Sequence, residues 1–226
     1  KDSLKITESE IYRSTVVGGQ AQNYKGGITS AINNSVEITN SNIRLATASS
    51  QEHLSAIMGG YAQTTLSAAT EAATANITAS NNTITVSNTK TTPNTTYNLE
   101  STIIGGVAEI SGQFDLDKAT ARADNNTIEI DKGVKVTSHQ VVGAHLSVES
   151  GGATLSADSN KVVLNGEFTG HGDSSKIIAG AVSTNLATLT NNSVEVNNKV
   201  NGFSNIVGAL GGTGTTDLEK GVYNRV

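Results

Sequence analysis

The sequence predicts an all-β fold: a right-handed parallel β-helix with three strands per coil and about six coils. Three observations predict it. A six-residue phrase with an Asn at its second position comes back five times. A second phrase, two aliphatic residues followed by two small ones, comes back six times between them. The spacing inside each phrase is constant while the spacing between phrases is not, which is how stacked repeat units with variable loops read.

The first phrase is Asn33-Asn34-Ser35-Val36-Glu37-Ile38, then 81–86, 125–130, 159–164 and 191–196. Strand side chains alternate faces, so its two apolar residues form two inward columns. These are Val36, Ile84, Ile128, Val162, Val194 and Ile38, Val86, Ile130, Leu164, Val196. Leu4 and Ile6 extend both columns by one coil, with Asp2 in the Asn position. Asn tolerates the left-handed backbone region and bonds within turns. Stacked Asn side chains also bond to one another. Asn34, Asn82, Asn126, Asn160 and Asn192 are therefore expected to form a structural ladder at one corner of the coil.

The second phrase is Val16-Val17-Gly18-Gly19, Ile57-Met58-Gly59-Gly60, Ile103-Ile104-Gly105-Gly106, Val141-Val142-Gly143-Ala144, Ile177-Ile178-Ala179-Gly180 and Ile206-Val207-Gly208-Ala209. Simple alternation turns Val17, Met58, Ile104, Val142, Ile178 and Val207 inward. It leaves Val16, Ile57, Ile103, Val141, Ile177 and Ile206 outward. Small residues in a strand mark close approach of another group.

A third strand precedes each Asn phrase. Five and three residues before the ladder Asn stand Thr29 and Ala31, Ile77 and Ala79, Ala121 and Ala123, Leu155 and Ala157, Ala187 and Leu189. The constant offset leaves room only for a tight corner. Successive ladder positions lie 48, 44, 34 and 32 residues apart (34 to 82 to 126 to 160 to 192). Connections such as 39–56, 63–76 and 87–102 absorb the difference.

Composition agrees with narrow, regular layers. The 226 residues include five Tyr, three Phe, no Trp, one Pro and no Cys. Net charge is −5 with no basic run, which argues against nucleic acid as a partner. No stretch approaches the ~18 apolar residues of a membrane-crossing helix. The N-terminal residues carry no signal-peptide pattern, so residues 1–226 read as one β-helix segment of a longer solenoid, with both ends open.

The alternation of Asn-Asn-Thr-Ile-Glu-Ile strands with Ile-Ile-Gly-Gly-Val-Ala strands resembles the passenger of a bacterial autotransporter, or a related surface β-helix adhesin. The resemblance covers Leu4 to about Gly212. It implies export through an outer-membrane barrel that this chain lacks, exposure at the cell surface or secretion, and a role in adhesion or self-association. The implied partner is a host or bacterial surface receptor, a glycan, or another copy of the chain.

No catalytic or cofactor motif stands out, and the chain is read as not an enzyme, without cofactor or metal. The alternative is a carbohydrate-active β-helix, such as a polysaccharide lyase or phage tailspike domain. Outward Glu37, Glu129 and Glu195 are separated by coils bearing Thr85 and Val163, which is poor for paired carboxylates. Asp115, Asp117 and Asp124 match no calcium loop. His53, His139, His145 and His171 lack ligand spacing. The candidate binding surface is the outer side of the glycine-phrase strand: Ile57, Ile103 and Val141 in one column, Tyr61, Val107 and His145 in another. An apolar column left bare there would be a docking face.

Overall fold

In a computed structural model, the chain is a parallel β-helix of about six coils. The structure describes residues 1–12, 14–24, 26–44, 56–66, 74–90, 96–112, 119–138, 140–149, 153–170, 177–211 and 222–223. The described strands stack into four parallel sheets of seven, six, six and five strands. One coil shows the plan. Thr83–Ser87 carries the Asn phrase, Tyr97–Glu100 follows, Thr102–Gly112 carries the glycine phrase, and Ala119–Arg122 leads into the next corner.

The three strands expected per coil are all present, and a short fourth strand joins them. It lies in the stretch read as connection: Asn42–Arg44, Tyr97–Glu100, Val134–Ser138, Glu167–Gly170. Its inward column is Ile43, Leu99, Val136 and Phe168, all buried. With one or two apolar residues per strand, it gives too short an alternation to be heard among polar neighbours.

The Asn-phrase columns pair as expected. Leu4, Val36, Ile84, Ile128, Val162 and Val194 are in register, as are Ile6, Ile38, Val86, Ile130, Leu164 and Val196. The third-strand columns hold too: Thr29, Ile77, Ala121 and Leu155 align. Thr29 spends its hydroxyl on Thr64 at 2.9 Å inside the core.

The corner between those strands divides its work between two residues. The first residue of each pair takes the left-handed conformation: Asn33, Asn81, Asn125, Ser159 and Asn191 all have φ between 52° and 58°. The second residue points inward and forms the ladder. Asn34, Asn82, Asn126, Asn160 and Asn192 are buried. The Nδ2 of Asn34, Asn82, Asn126 and Asn160 donates to the Oδ1 of the next coil's Asn, at 2.9, 3.0, 2.9 and 2.8 Å. The same Oδ1 atoms also accept the backbone N–H of the preceding coil's Asn. The second Nδ2 hydrogen of Asn82, Asn126, Asn160 and Asn192 goes to the carbonyl of Ala31, Ala79, Ala123 and Ala157. A buried amide must find partners for these groups or lose about 1–3 kcal/mol for each orphan.

Opposite the ladder lies the glycine phrase. A Cβ built on Gly105 would meet the Cβ of Asn126 at 2.9 Å, and one built on Gly106 would meet Asn126 Nδ2 at 2.6 Å. Gly59 and Gly60 face Asn82 in the same way. Two consecutive residues thus point inward, and the alternation changes phase across them. Before the glycines, Val16, Ile57, Ile103, Val141 and Ile178 join the core lobe behind the Asn phrase. After them, Ala62, Ala108, Ala144, Leu146 and Ala181 join a second lobe behind the third strand. The coil has a waist where Asn meets Gly.

Register corrects one coil of the glycine phrase. Val142 pairs with Ala179, and Ala179 with Val207, so Ile178 belongs beside Val141 and Ile206. The waist column then reads Gly18, Gly59, Gly105, Gly143, Gly180 and Gly208, with no exception. At the C-terminal side, Val222–Tyr223 pairs beside Ser193 and Val194. That pairing adds one more parallel strand to the Asn-phrase sheet.

Candidate binding surface

The phase change at the glycines relocates half of the expected docking face. Ile57, Ile103 and Val141 are fully buried core residues, so they are not surface groups. Alternation read straight through two glycines put them on the wrong side. Tyr61, Val107 and His145 face away from the core lobes, in register with one another; Tyr61 and His145 are half-buried, but Val107 is buried and is not a surface group. Gln20 precedes them, and Val182 and Leu210 continue the column.

This outer side has two chemistries. Towards the C-terminal coils it is apolar: Val142, Ala179 and Val182 are buried in a cluster of their own, with Ile177, Val207 and Leu210 packed against it. Towards the N-terminal coils it is polar and aromatic. The strands Thr15–Asn23, Ala56–Leu66 and Thr102–Gly112 run on well past the glycines. Their outer positions there are Gln22, Gln63 and Glu109, aligned across three coils. Gln22 Nε2 donates to Gln63 Oε1 at 2.9 Å, and the Tyr61 hydroxyl donates to Glu109 Oε2 at 3.1 Å. Tyr24, just past the end of its strand, is 64% exposed. Burial, then the charge and hydrogen bond of Glu109, push the Tyr61 phenol up to about 12; Gln22 opposes this and Tyr24 adds to it. Burial also holds the His145 imidazole below its usual range, against the pull of Glu109.

The sequence reading passed over Gln22, Tyr24, Gln63 and Glu109. The signal that marks them is the polar alternation continuing beyond the glycine phrase, at every second residue.

The outer side of the Asn-phrase sheet is mostly polar. On the Asn-phrase sheet, Glu37, Thr85, Glu129, Val163 and Glu195 are in register, so the glutamates never occupy adjacent coils. Lys5 pairs with Glu37 at 2.9 Å on the exposed side. Asp124 is buried at the ladder corner, where it pairs with Arg122 and accepts the backbone N–H of Asp158 at 2.9 Å. Its carboxylate is engaged in holding that corner. Asp115, Asp117, His53, His139 and His171 lie outside the described residues. Among the described residues, no group of acidic, His or Cys side chains is arranged to hold a metal ion.

No protein-family model, curated protein or solved structure matches this chain. Its reading therefore rests on the geometry above.

Proposed function

We propose that this chain is a structural and binding segment of a bacterial cell-surface adhesin, similar to an autotransporter passenger, that mediates attachment to other cells or self-association. One observation carries the reading. The most regular residues, the ladder Asn (Asp2 in the first coil) and the waist Gly, both lie inside the coil. The outer positions change identity from coil to coil: Gln22, Gln63, Glu109 and Ser147 follow one another in a single column. A rigid scaffold with a freely varied surface is what a recognition rod needs, because loops and outer faces can change while the stack holds.

On this reading the segment is exported and displayed outside the cell, joined to an outer-membrane domain that is separate from these residues. The test is attachment. Inert beads coated with the purified chain should adhere to epithelial or bacterial cells, or clump with one another, more than beads coated with a β-helix of unrelated surface. Equal adherence of both would remove the adhesin reading.

A further inference from the structure

The polar end of the glycine-phrase sheet places five hydrogen-bonding or aromatic side chains together on an otherwise aromatic-poor chain. Gln22, Gln63 and Glu109 form one column across three coils. By strand register, Tyr61 stands two residues before that column and Tyr24 two residues after it. Within this group the Tyr61 hydroxyl donates to Glu109 Oε2 at 3.1 Å and Gln22 Nε2 donates to Gln63 Oε1 at 2.9 Å. Register and these two bonds thus bring five outer groups from three coils to one end of the sheet.

The chemistry of this set is specific. An amide offers two N–H donors and an acceptor oxygen, and a carboxylate offers acceptors only. The Gln22–Gln63 bond uses one donor and one acceptor of the pair and leaves capacity on both amides. A phenol ring adds an apolar face with a polar tip. Hydroxyl pairs that donate and accept on one edge, with C–H faces between them, are the features of a pyranose sugar. The coil spacing of ~4.8 Å is close to the length of one such ring. Anionic sugars fit poorly: Glu109 presents a negative charge, and the chain carries −5 overall.

We propose that Gln22, Tyr24, Tyr61, Gln63 and Glu109 form a binding patch for neutral oligosaccharides, the amides and carboxylate taking sugar hydroxyls and the tyrosines packing on ring faces. The inference rests on the adhesin reading and gives it a ligand class. No bond in the sugar is made or broken.

The experiment titrates the whole chain with lactose, cellotetraose, maltotetraose and mannotetraose, and with sialyllactose. Tyrosine fluorescence reports binding, since the chain has no Trp. At least one neutral sugar should bind saturably, and sialyllactose more weakly. Tyr24→Ala and Gln63→Ala should each weaken binding about tenfold or more, the scale of one lost hydrogen-bonded or stacked contact. Tyr12→Ala, on a different sheet and 53% exposed, should bind as the parent does. Thermal melting of all variants guards against misfolding. No neutral sugar bound by the parent chain, or equal binding by Tyr24→Ala and Gln63→Ala, overturns the patch. The bead assay separates the two readings. Beads that adhere while the chain binds no sugar leave the adhesin standing with a protein partner. Beads that do not adhere, from a chain that does bind sugar, leave the patch and remove the adhesin.

Discussion

Gly105 and Asn126 face each other across the narrowest part of the coil, with 2.9 Å between the Asn126 Cβ and the place where a Gly105 Cβ would lie. The backbone oxygen of Gly143 crowds the same point. Gly105→Ala should therefore destabilise the fold by about 1–3 kcal/mol, the range for overpacking a close-packed interior. Chemical denaturation followed by circular dichroism measures it. An unchanged midpoint would mean that the waist is looser than its geometry indicates.

The two residues of the corner should respond differently. Asn126→Ala removes the acceptor of Asn82 and two donors of its own. Several buried groups lose partners at once, so about 2–4 kcal/mol should be lost. Asn125, at φ 52° and exposed, should accept Gly with little change. Asn125→Val should cost roughly 1–2 kcal/mol, the penalty for a branched side chain in that region. If Asn126→Ala and Asn125→Val cost the same as Asn125→Gly, the division of labour is wrong.

What could be read from the sequence follows these physical differences. The ladder and the Asn-phrase columns were legible because phrase and geometry have the same period. The third strand was legible because its corner has fixed length. The faces of the glycine phrase were not, because two inward glycines reverse the alternation and a glycine carries no side chain to announce it. Aligning residues 177–180 on their Ile-Ile pair slipped that coil by one residue; aligning on Gly180 restores it. The fourth strand was hidden because Ile43 or Leu99 stands alone among polar neighbours. Of the binding surface, Tyr61, Val107 and His145 were placed on the correct side of the sheet, although Val107 is buried there, whereas the column beside Tyr61, with Gln63 and Glu109, was missed.

Ile103 is now a core residue, and its variants should behave as such. Ile103→Glu places a carboxylate with no partner among Ile57, Val141 and their neighbours in the lobe behind the Asn phrase. Burial of that kind costs several kcal/mol. The variant should lose cooperative unfolding and native β circular dichroism, instead of folding with a changed surface. Ile128→Asp, in the opposite sheet of the same lobe, should do the same. A folded Ile103→Glu with normal melting would return this residue to the surface.

Tyr61 gives the chain a pH signature at the alkaline end. Its folded pKa, about 12, lies above the ordinary phenol value of 10.0. A raised pKa means that the fold binds its proton more tightly than the unfolded chain does. The stabilisation is complete below about pH 10 and fades as pH rises towards 12. Phenolate absorbance should include a late step approaching pH 12, and Tyr61→Phe should remove it. The same variant should flatten the alkaline fall in stability. A titration in which Tyr61→Phe removes an ordinary early step would show that Glu109 and burial do not hold the proton.

The bonds of the Asn ladder all run one way: Asn34 gives to Asn82, Asn82 to Asn126, Asn126 to Asn160, Asn160 to Asn192. At the other end Asp2, in the same position, sends its backbone N–H to Asn34 Oδ1 at 3.2 Å. The rod consequently has a sense, like an arrow. A further coil on the Asn192 side must bring acceptors to this corner, and one on the Asp2 side must bring donors. Two like ends pressed together would set donor on donor or acceptor on acceptor. A turn added at either end must therefore stack head to tail, whichever chain supplies it.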